Sequence, residues 1–208
     1  MMSYYLNFMF GLTKEEVRHY RDSGDKILKT VEFKNNENPA RMWYKYKSPW
    51  IQGFNYAIVL FCKILPPLEF KNDLYRLIGV KIGKNVSIAN DCILDTIYPE
   101  LIMIEDNVII GWGSKLYTHE FTIKTARIGT IHFKKNSMLG EWSVVRPGVM
   151  IGNDSLVAAM SFVNKDVPDS FIEGGVPIHL IHYHKEMEEK KVREENIKSH
   201  ARKRAKKR

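Results

Sequence analysis

The stretch that decides the fold is residues 133–167, FKKNSMLGEWSVVRPGVMIGNDSLVAAMSFVNKDV. Every sixth residue of this stretch is apolar: Phe133, Leu139, Val145, Ile151, Val157 and Val163. Four residues after each of these comes a serine or a valine: Ser137, Ser143, Val149, Ser155, Ser161 and Val167. A fixed period of six is typical of parallel β-helices.

The period has a simple physical reading. An α-helix would place apolar residues at spacings of three and four, so a spacing of six excludes an amphipathic helix. Three units of short strand and tight turn close one triangular coil, and stacked coils pair their backbones and bury a continuous core. The large apolar residue points inward, and the serine or valine fits a crowded corner.

A shorter block repeats the pattern upstream, with apolar residues at Ile82, Ile88, Leu94, Ile104, Ile110 and Leu116. Two insertions break its phase, at residues 96–102 and 119–131. The sequence therefore predicts a β-helix of roughly five coils with two loops that leave the stack. Loops on a regular scaffold often carry function.

The run at residues 139–168, LGEWSVVRPGVMIGNDSLVAAMSFVNKDVP, is followed by Gly-Gly-Val-Pro at 174–177. It resembles the hexapeptide-repeat acyltransferases, and most closely the maltose, galactoside and polysaccharide O-acetyltransferases. The resemblance covers residues 75–181 and implies an all-β solenoid, a left-handed parallel β-helix. The left hand is implied by the resemblance alone, since β-crossovers are in general right-handed.

Three segments are predicted. Residues 1–74 form a helical and apolar N-terminal segment, residues 75–181 the β-helix acyltransferase domain, and residues 182–208 a charged helix with a basic tail. In the first segment, Thr13 is predicted as the N-cap of a helix that runs to about Arg21. Glu16, three residues after Thr13, would complete a capping box.

Residues 43–68 are strongly apolar, and two interpretations stay open. The helix packs on the β-helix or a partner subunit, or it anchors the protein to a membrane surface through Trp43, Tyr44, Trp50 and Phe54. A spanning helix is not expected, because Gln52, Gly53 and Asn55 interrupt the apolar run. The basic tail is either a solvated end or a second attraction to anionic lipid.

Composition limits the remaining classes. The chain has 208 residues, a net charge of +8 and 44% hydrophobic residues, which suits one domain with appendages. Cys62 and Cys92 lie in apolar or repeat contexts and predict reduced thiols in a cytoplasmic protein. No cleavable signal peptide is visible, and no motif indicates nucleic-acid binding.

His119 is the candidate catalytic residue, since it lies where the chain leaves the second coil. In the resembled family a histidine at this point acts as general base on the acceptor hydroxyl. Imidazole titrates near neutrality and can accept and return that proton. Glu120 is the candidate group that fixes its tautomer. No metal is expected, because a zinc site needs three converging histidines and the nearest to His119, His132, is thirteen residues away.

The resemblance implies acetyl-CoA as cosubstrate, held in a groove between two subunits of a homotrimer. The candidate donor-binding residues are Gly140, Trp142, Ala159, Asn164, Lys165 and His179. Glu141, Met160 and His179 depart from the residue types usual in the family. The acceptor is expected to be a sugar or glycan hydroxyl, with Asn90, Asp95 and Trp112 as candidate contacts.

Two alternatives to O-acetyl transfer stay open at this point. One is N-acyl transfer to an amino sugar or nucleotide sugar. The other is a non-catalytic β-helix scaffold, which the three departures in the donor groove motivate and the retained His119 argues against.

Overall fold

Three parallel sheets form the faces of a β-helix in the computed structural model, which describes residues 13–33 and 38–183. The first face holds β2 (Lys81–Ile82), β5 (Ile102–Ile104), β10 (Ile131–Phe133) and β13 (Val149–Ile151). The second holds β3 (Ser87–Ile88), β6 (Ile109–Ile110), β11 (Met138–Leu139), β14 (Leu156–Val157) and β16 (Phe171–Gly174). The third holds β4 (Ile93–Leu94), β7 (Lys115–Leu116), β12 (Val144–Val145) and β15 (Phe162–Val163). The chain visits the faces in this order four times, and Val167 begins a fifth turn by pairing with Ile151.

The register confirms the count in sixes. Phe133 pairs with Ile104 on one side and with Ile151 on the other, and the six apolar repeat residues of 133–167 are fully buried. The corner serines are buried as well, because their hydroxyls donate to turn carbonyls: Ser137 to Lys134 and Ser155 to Gly152, both at 2.7 Å. A buried serine at these corners is therefore hydrogen-bonded rather than orphaned.

A ladder of asparagines follows the corner between the first and second faces. Asn85, Asn107, Asn136 and Asp154 adopt left-handed backbone conformations, with φ from 54° to 60°. Asparagine and aspartate tolerate this conformation better than most residues. Their side chains hydrogen-bond from coil to coil at 2.8, 3.1 and 2.8 Å. The ladder therefore fixes both the turn and the stacking.

Helices precede the first coil in the chain. They are α1 (Lys14–Ser23), a 3₁₀ helix (Pro39–Lys45), α2 (Pro49–Ile64) and α3 (Glu69–Leu77). The capping box at Thr13 and Glu16 is confirmed. Val59 and Cys62 of α2 and Tyr75 of α3 join the core of the β-helix, so α2 and α3 close its open end. Cys62 and Cys92 are both buried free thiols, as predicted.

The N-terminal segment packs against both insertions. The second forms a hairpin of β8 (His119–Phe121) and β9 (Thr125–Gly129), which β1 (Leu28–Glu32) extends to a three-stranded antiparallel sheet. The first contains a 3₁₀ turn at Pro99–Leu101. Both pack in a second, smaller core around Tyr20 of α1. The insertions thus carry their own packed structure.

The C-terminal end differs from the prediction of a helix starting at residue 182. β17 (His179–Tyr183) is a strand that pairs antiparallel with β16, because the last open edge of the second face accepts it. Residues 184–208, and most of the polar break predicted at 35–39, lie outside the described residues. Within 13–33 and 38–183, no helix is long and apolar enough to cross a membrane.

Close stacking makes Gly140→Ala a test of the coil geometry. A Cβ at Gly140 would overlap the backbone of Ala159 in the next coil, so we expect a loss of about 1–3 kcal/mol in the free energy of unfolding. The matched control is Gly53→Ala in α2, where a Cβ meets nothing within 4 Å. It should gain about 0.4–1 kcal/mol. Urea unfolding at one protein concentration measures both, and equal effects would contradict this packing.

Candidate active site

His119 lies at the start of β8, directly beyond the corner that follows the third face. Its Nδ1 lies 2.5 Å from Oδ2 of Asp95. The side chain of His119 is 20% exposed, whereas that of Asp95 is fully buried. Asp95 follows β4 and His119 follows β7, so the parallel pairing of these two strands brings the two side chains together.

Asp95 is held by four backbone N–H groups. Its Oδ1 accepts from Ile97 and Tyr98 at 2.8 and 3.0 Å, and its Oδ2 accepts from Thr118 and His119 at 2.9 and 3.1 Å. Burial alone would raise the pKa of this carboxyl, but the neighbouring His119 ring and the backbone donors outweigh it and lower the pKa. Asp95 is therefore a carboxylate at neutral pH.

This contact sets the tautomer of the ring. An ionised carboxylate only accepts hydrogen bonds, so the Nδ1 of His119 carries the proton that it donates to Asp95. Nε2 of the neutral ring is then an unprotonated base. Among residues 13–33 and 38–183, none hydrogen-bonds this Nε2. Asp95, predicted as an acceptor contact, is instead enclosed and acts on the ring.

Glu120 does not take the role predicted for it. Its Oε2 accepts from Arg146 at 2.5 Å, and Arg127 lies 3.9 Å from the same oxygen. The guanidinium of Arg146 also lies over the ring of Phe162. Alternation along β8 explains the difference, because neighbouring strand residues point to opposite faces. Glu120 therefore ties the hairpin to β12, and the carboxylate beside the histidine belongs to Asp95.

Aromatic rings line one side of the histidine. The Phe121 ring centroid lies 5.1 Å from that of His119, and Tyr46 lies 5.2 Å from Phe121. Tyr46 comes from the end of the 3₁₀ helix, so the N-terminal segment contributes to the surroundings of the ring. Such apolar walls restrict water around a polar group and strengthen its electrostatic interactions.

Five of the sequence-predicted residues lie at another corner, between the second and third faces, which we call the tryptophan corner. They are Asn90, Trp112, Gly140, Trp142 and Ala159. Trp112 and Trp142 are about half exposed. Asn90 donates to the carbonyl of Ile64 at 3.2 Å and so holds the end of α2. Gly140 is buried against the next coil. The two indoles are thus the exposed aromatic side chains that this corner offers to a ligand, beside the exposed Glu141, Ala159 and Met160.

Trp142 adopts an uncommon backbone conformation at the tryptophan corner. Its φ is 58°, a left-handed value that costs a bulky residue free energy. The indole lies against Gly113 of the preceding coil, where a Cβ would approach ring atoms at 2.7 Å. The glycine thus makes room for the indole, which is fixed against the coil rather than free to turn. Met160, in the same position one coil later, has a φ of 57° and is exposed.

The other predicted donor contacts lie in the last coils. Asn164 and Lys165 occupy the same corner as His119, which we call the histidine corner, two coils further on. Lys165 Nζ lies 3.4 Å from Oε1 of the buried Glu173. His179 is exposed in β17, and its Nδ1 lies 3.3 Å from the carbonyl oxygen of Pro177. In the described part of the chain, no three His, Cys, Asp or Glu side chains converge as metal ligands.

Comparisons with known proteins identify the family. A Bacillus subtilis (strain 168) protein named "Putative acetyltransferase YvoF" is 34% identical over 152 residues, which are 72% of this chain and 88% of that protein. The chain belongs to the hexapeptide-repeat acetyltransferases. A solved Vibrio cholerae O1 biovar eltor hexapeptide-repeat acetyltransferase, complexed with acetyl coenzyme A, aligns with a TM-score of 0.55 and 23% identity, over 65% of this chain and 88% of that one. A Clostridium difficile 630 maltose O-acetyltransferase aligns at 0.54 and 18%, over 65% and 87%. No protein-family profile matches the sequence.

In this hexapeptide-repeat acetyltransferase, the carboxylate beside the histidine belongs to Asp95, a residue for which the sequence predicts a different contact. The sequence assigns Asp95 to the acceptor because residues 90–95 resemble the coil of the family that supplies polar groups to a sugar. The repeat register could have indicated that Asp95 lies near His119. Asp95 directly follows Leu94, which pairs with Leu116, and Leu116 lies three residues before His119. The contribution of Tyr46 had no signal in the repeat, since it depends on how the N-terminal segment packs.

Proposed function

We propose that this protein transfers an acetyl group from acetyl-CoA to a hydroxyl of a sugar or glycan acceptor. The observation that carries the proposal is the pairing of His119 Nδ1 with the buried Asp95 carboxylate, which leaves Nε2 as a base. A hydroxyl is a poor nucleophile until a base takes its proton, so a positioned imidazole supplies what this reaction needs. Left-handed winding of the coils is part of the proposal.

The proposed reaction needs one base and no covalent enzyme intermediate. Nε2 of His119 removes the proton of the acceptor hydroxyl while its oxygen attacks the thioester carbonyl carbon. Backbone N–H groups stabilise the resulting oxyanion. The C–S bond then breaks, the imidazolium returns its proton to the departing thiolate, and the products are an O-acetylated acceptor and free CoA. Asp95 stabilises the transient positive charge on the ring.

The separation of the two corners supports a site shared between subunits. The exposed indoles of Trp112 and Trp142 and the ring of His119 lie at opposite edges of the third face of one chain. One ligand contacts both corners when a second copy places its tryptophan corner beside the histidine corner of the first. Oligomers of this kind are usually closed and symmetric. We therefore propose a homotrimer in which each site combines two chains.

The donor side of the proposal rests on exposed groups of the later coils. The half-exposed indole of Trp142 offers a flat apolar surface to the adenine ring, and Lys165 offers a cation to the phosphates. Lys165 already pairs with Glu173, so phosphate binding has to compete with that contact. The exposed Glu141 adds a second negative charge next to Trp142, at the tryptophan corner. We expect measurable but not tight donor binding.

Isothermal titration of the purified protein with acetyl-CoA and with CoA tests the proposal, followed by release of free CoA thiol over a panel of sugars. Micromolar binding and thiol release with hydroxyl sugars are the expected results. Thiol release that requires amino sugars would replace the proposal with N-acyl transfer. A lack of binding at millimolar acetyl-CoA would contradict the proposal and favour the alternative of a non-catalytic scaffold. Sedimentation of the same sample tests the trimer.

A further inference from the structure

Helix α2 turns polar side chains towards the protein and apolar side chains towards the solvent, the opposite of an ordinary surface helix. Its polar side chains turn towards the protein: Asn55 is only 4% exposed and donates to the carbonyl of Thr96 at 2.9 Å. Gln52 donates to the hydroxyl of the same threonine at 3.4 Å. Lys63, the only charged residue of the helix, pairs with Asp91 at 2.9 Å. Two of the three residues that interrupt the apolar run, Gln52 and Asn55, therefore hold the helix against the first insertion.

The outward side of α2 is apolar and aromatic. Trp50 is 89% exposed and Ile64 73%, and five more side chains between them are about half exposed: Ile51, Phe54, Tyr56, Leu60 and Phe61. Positions 50, 54, 57, 61 and 64 form one stripe along the helix, because they follow the spacing of helical turns. Leu68 and Phe70 continue this surface onto α3. A contiguous apolar surface of this kind marks an interaction site.

We propose that this stripe docks on the surface of an anionic lipid bilayer. Trp50 in the stripe, and the exposed Tyr56 beside it, are residue types that favour the boundary between lipid headgroups and acyl chains. The stripe carries no charge, so a lipid surface meets no unpaired ion there. With no described helix able to span a bilayer, α2 would lie in the plane of the surface with its apolar side down.

The charge of the chain supplies the second attraction that such docking requires. The last eleven residues, 198–208, contain seven Lys or Arg and no Asp or Glu. Stable attachment usually combines an apolar element with a basic segment that binds anionic headgroups. The described chain ends at Tyr183, and 25 further residues reach about 37 Å even at the short rise of a helix. Five stacked strands are only about 20 Å high, so the basic segment can reach the end of the stack that α2 covers.

This combination favours lipid over a second copy of the chain as the occupant. A second copy would cover the stripe but would leave the basic segment without a negative partner. The exposed part of α2 also has no charged rim of the kind that sets the register of a protein interface.

Vesicle flotation of the full chain tests the proposal without any measurement of activity. Vesicles of 30% phosphatidylglycerol in phosphatidylcholine should carry the protein, and pure phosphatidylcholine should carry at least tenfold less. Raising NaCl from 0.1 to 0.5 M should weaken the binding. Failure of the wild-type protein to float with the anionic vesicles would overturn the proposal.

A pair of double variants locates the contact. Phe54→Glu with Phe61→Glu places two charges in the stripe and should lower vesicle binding at least tenfold. Ile123→Glu with Val176→Glu makes the same charge change at exposed apolar residues elsewhere, and should lower it less than threefold. Equal losses in both variants would show a general charge effect and contradict the assignment. If the wild-type protein does not float and the stripe variant has a different oligomeric mass from wild type, a second copy of the chain is the occupant of the stripe.

Discussion

Replacing His119 by alanine is expected to lower the kcat of acetyl transfer by about 10²–10⁴-fold. The Kd for acetyl-CoA should stay within about twofold, because the imidazole transfers protons during the reaction and is not among the proposed donor-binding contacts. Among the described residues, Asp95 is the hydrogen-bond partner of the ring, through Nδ1, and Nε2 has no hydrogen bond. Removing the ring therefore removes the base and leaves Trp142 and Lys165, the proposed donor contacts, in place.

His19→Ala is the matched control for this variant. His19 lies on α1, far along the chain from the repeat, and its side chain is mostly exposed and pairs with Asp25. Stopped assays of CoA thiol release, with titration of acetyl-CoA in parallel, measure both variants. A loss below tenfold in His119→Ala, or an equal loss in His19→Ala, would mean that another group takes the proton.

The repeat could be predicted from sequence because each coil satisfies the same local requirements. An apolar residue every sixth position and a small one at each corner leave little freedom, and Phe133 and Leu139 take the register that this count predicts. Breaks in phase located both insertions. The pattern thus predicted the scaffold and the place of His119, since these depend on contacts between neighbouring coils.

The surroundings of the histidine could not be predicted in the same way. Asp95 and His119 meet because two insertions leave adjacent coils at one corner, a contact 24 residues apart in sequence. Tyr46 reaches Phe121 through the path of the N-terminal segment, which has no repeat to define it. The polarity of α2 was likewise hidden, since a list of apolar residues does not say that Asn55 turns inward.

Asp95→Asn is expected to lower both kcat and stability. An asparagine has one oxygen and one NH₂ group, so the NH₂ would face two of the four backbone N–H donors that now bind the carboxylate. Unsatisfied buried donors should reduce the free energy of unfolding by about 1–3 kcal/mol. The ring would lose the acceptor that fixes its tautomer, and kcat should fall by about 10²-fold or more. The Kd for acetyl-CoA should change little, which separates an effect on the ring from general unfolding.

The pH dependence of this stability difference tests the charge of Asp95 directly. Its pKa in the folded protein is lowered from an ordinary value of 3.8, so the ionised form stabilises the fold. That contribution is complete above pH 3.8 and is lost as the pH falls through the lower folded value. The difference in unfolding free energy between wild type and Asp95→Asn should therefore not shrink from pH 8 to 5, since a proton on the neighbouring imidazole only adds attraction to the carboxylate, and it should fall only below about pH 4. Urea unfolding of both proteins across this range measures it. A difference that already shrinks between pH 7 and 5 would show that burial, and not the histidine and backbone donors, controls this carboxyl group.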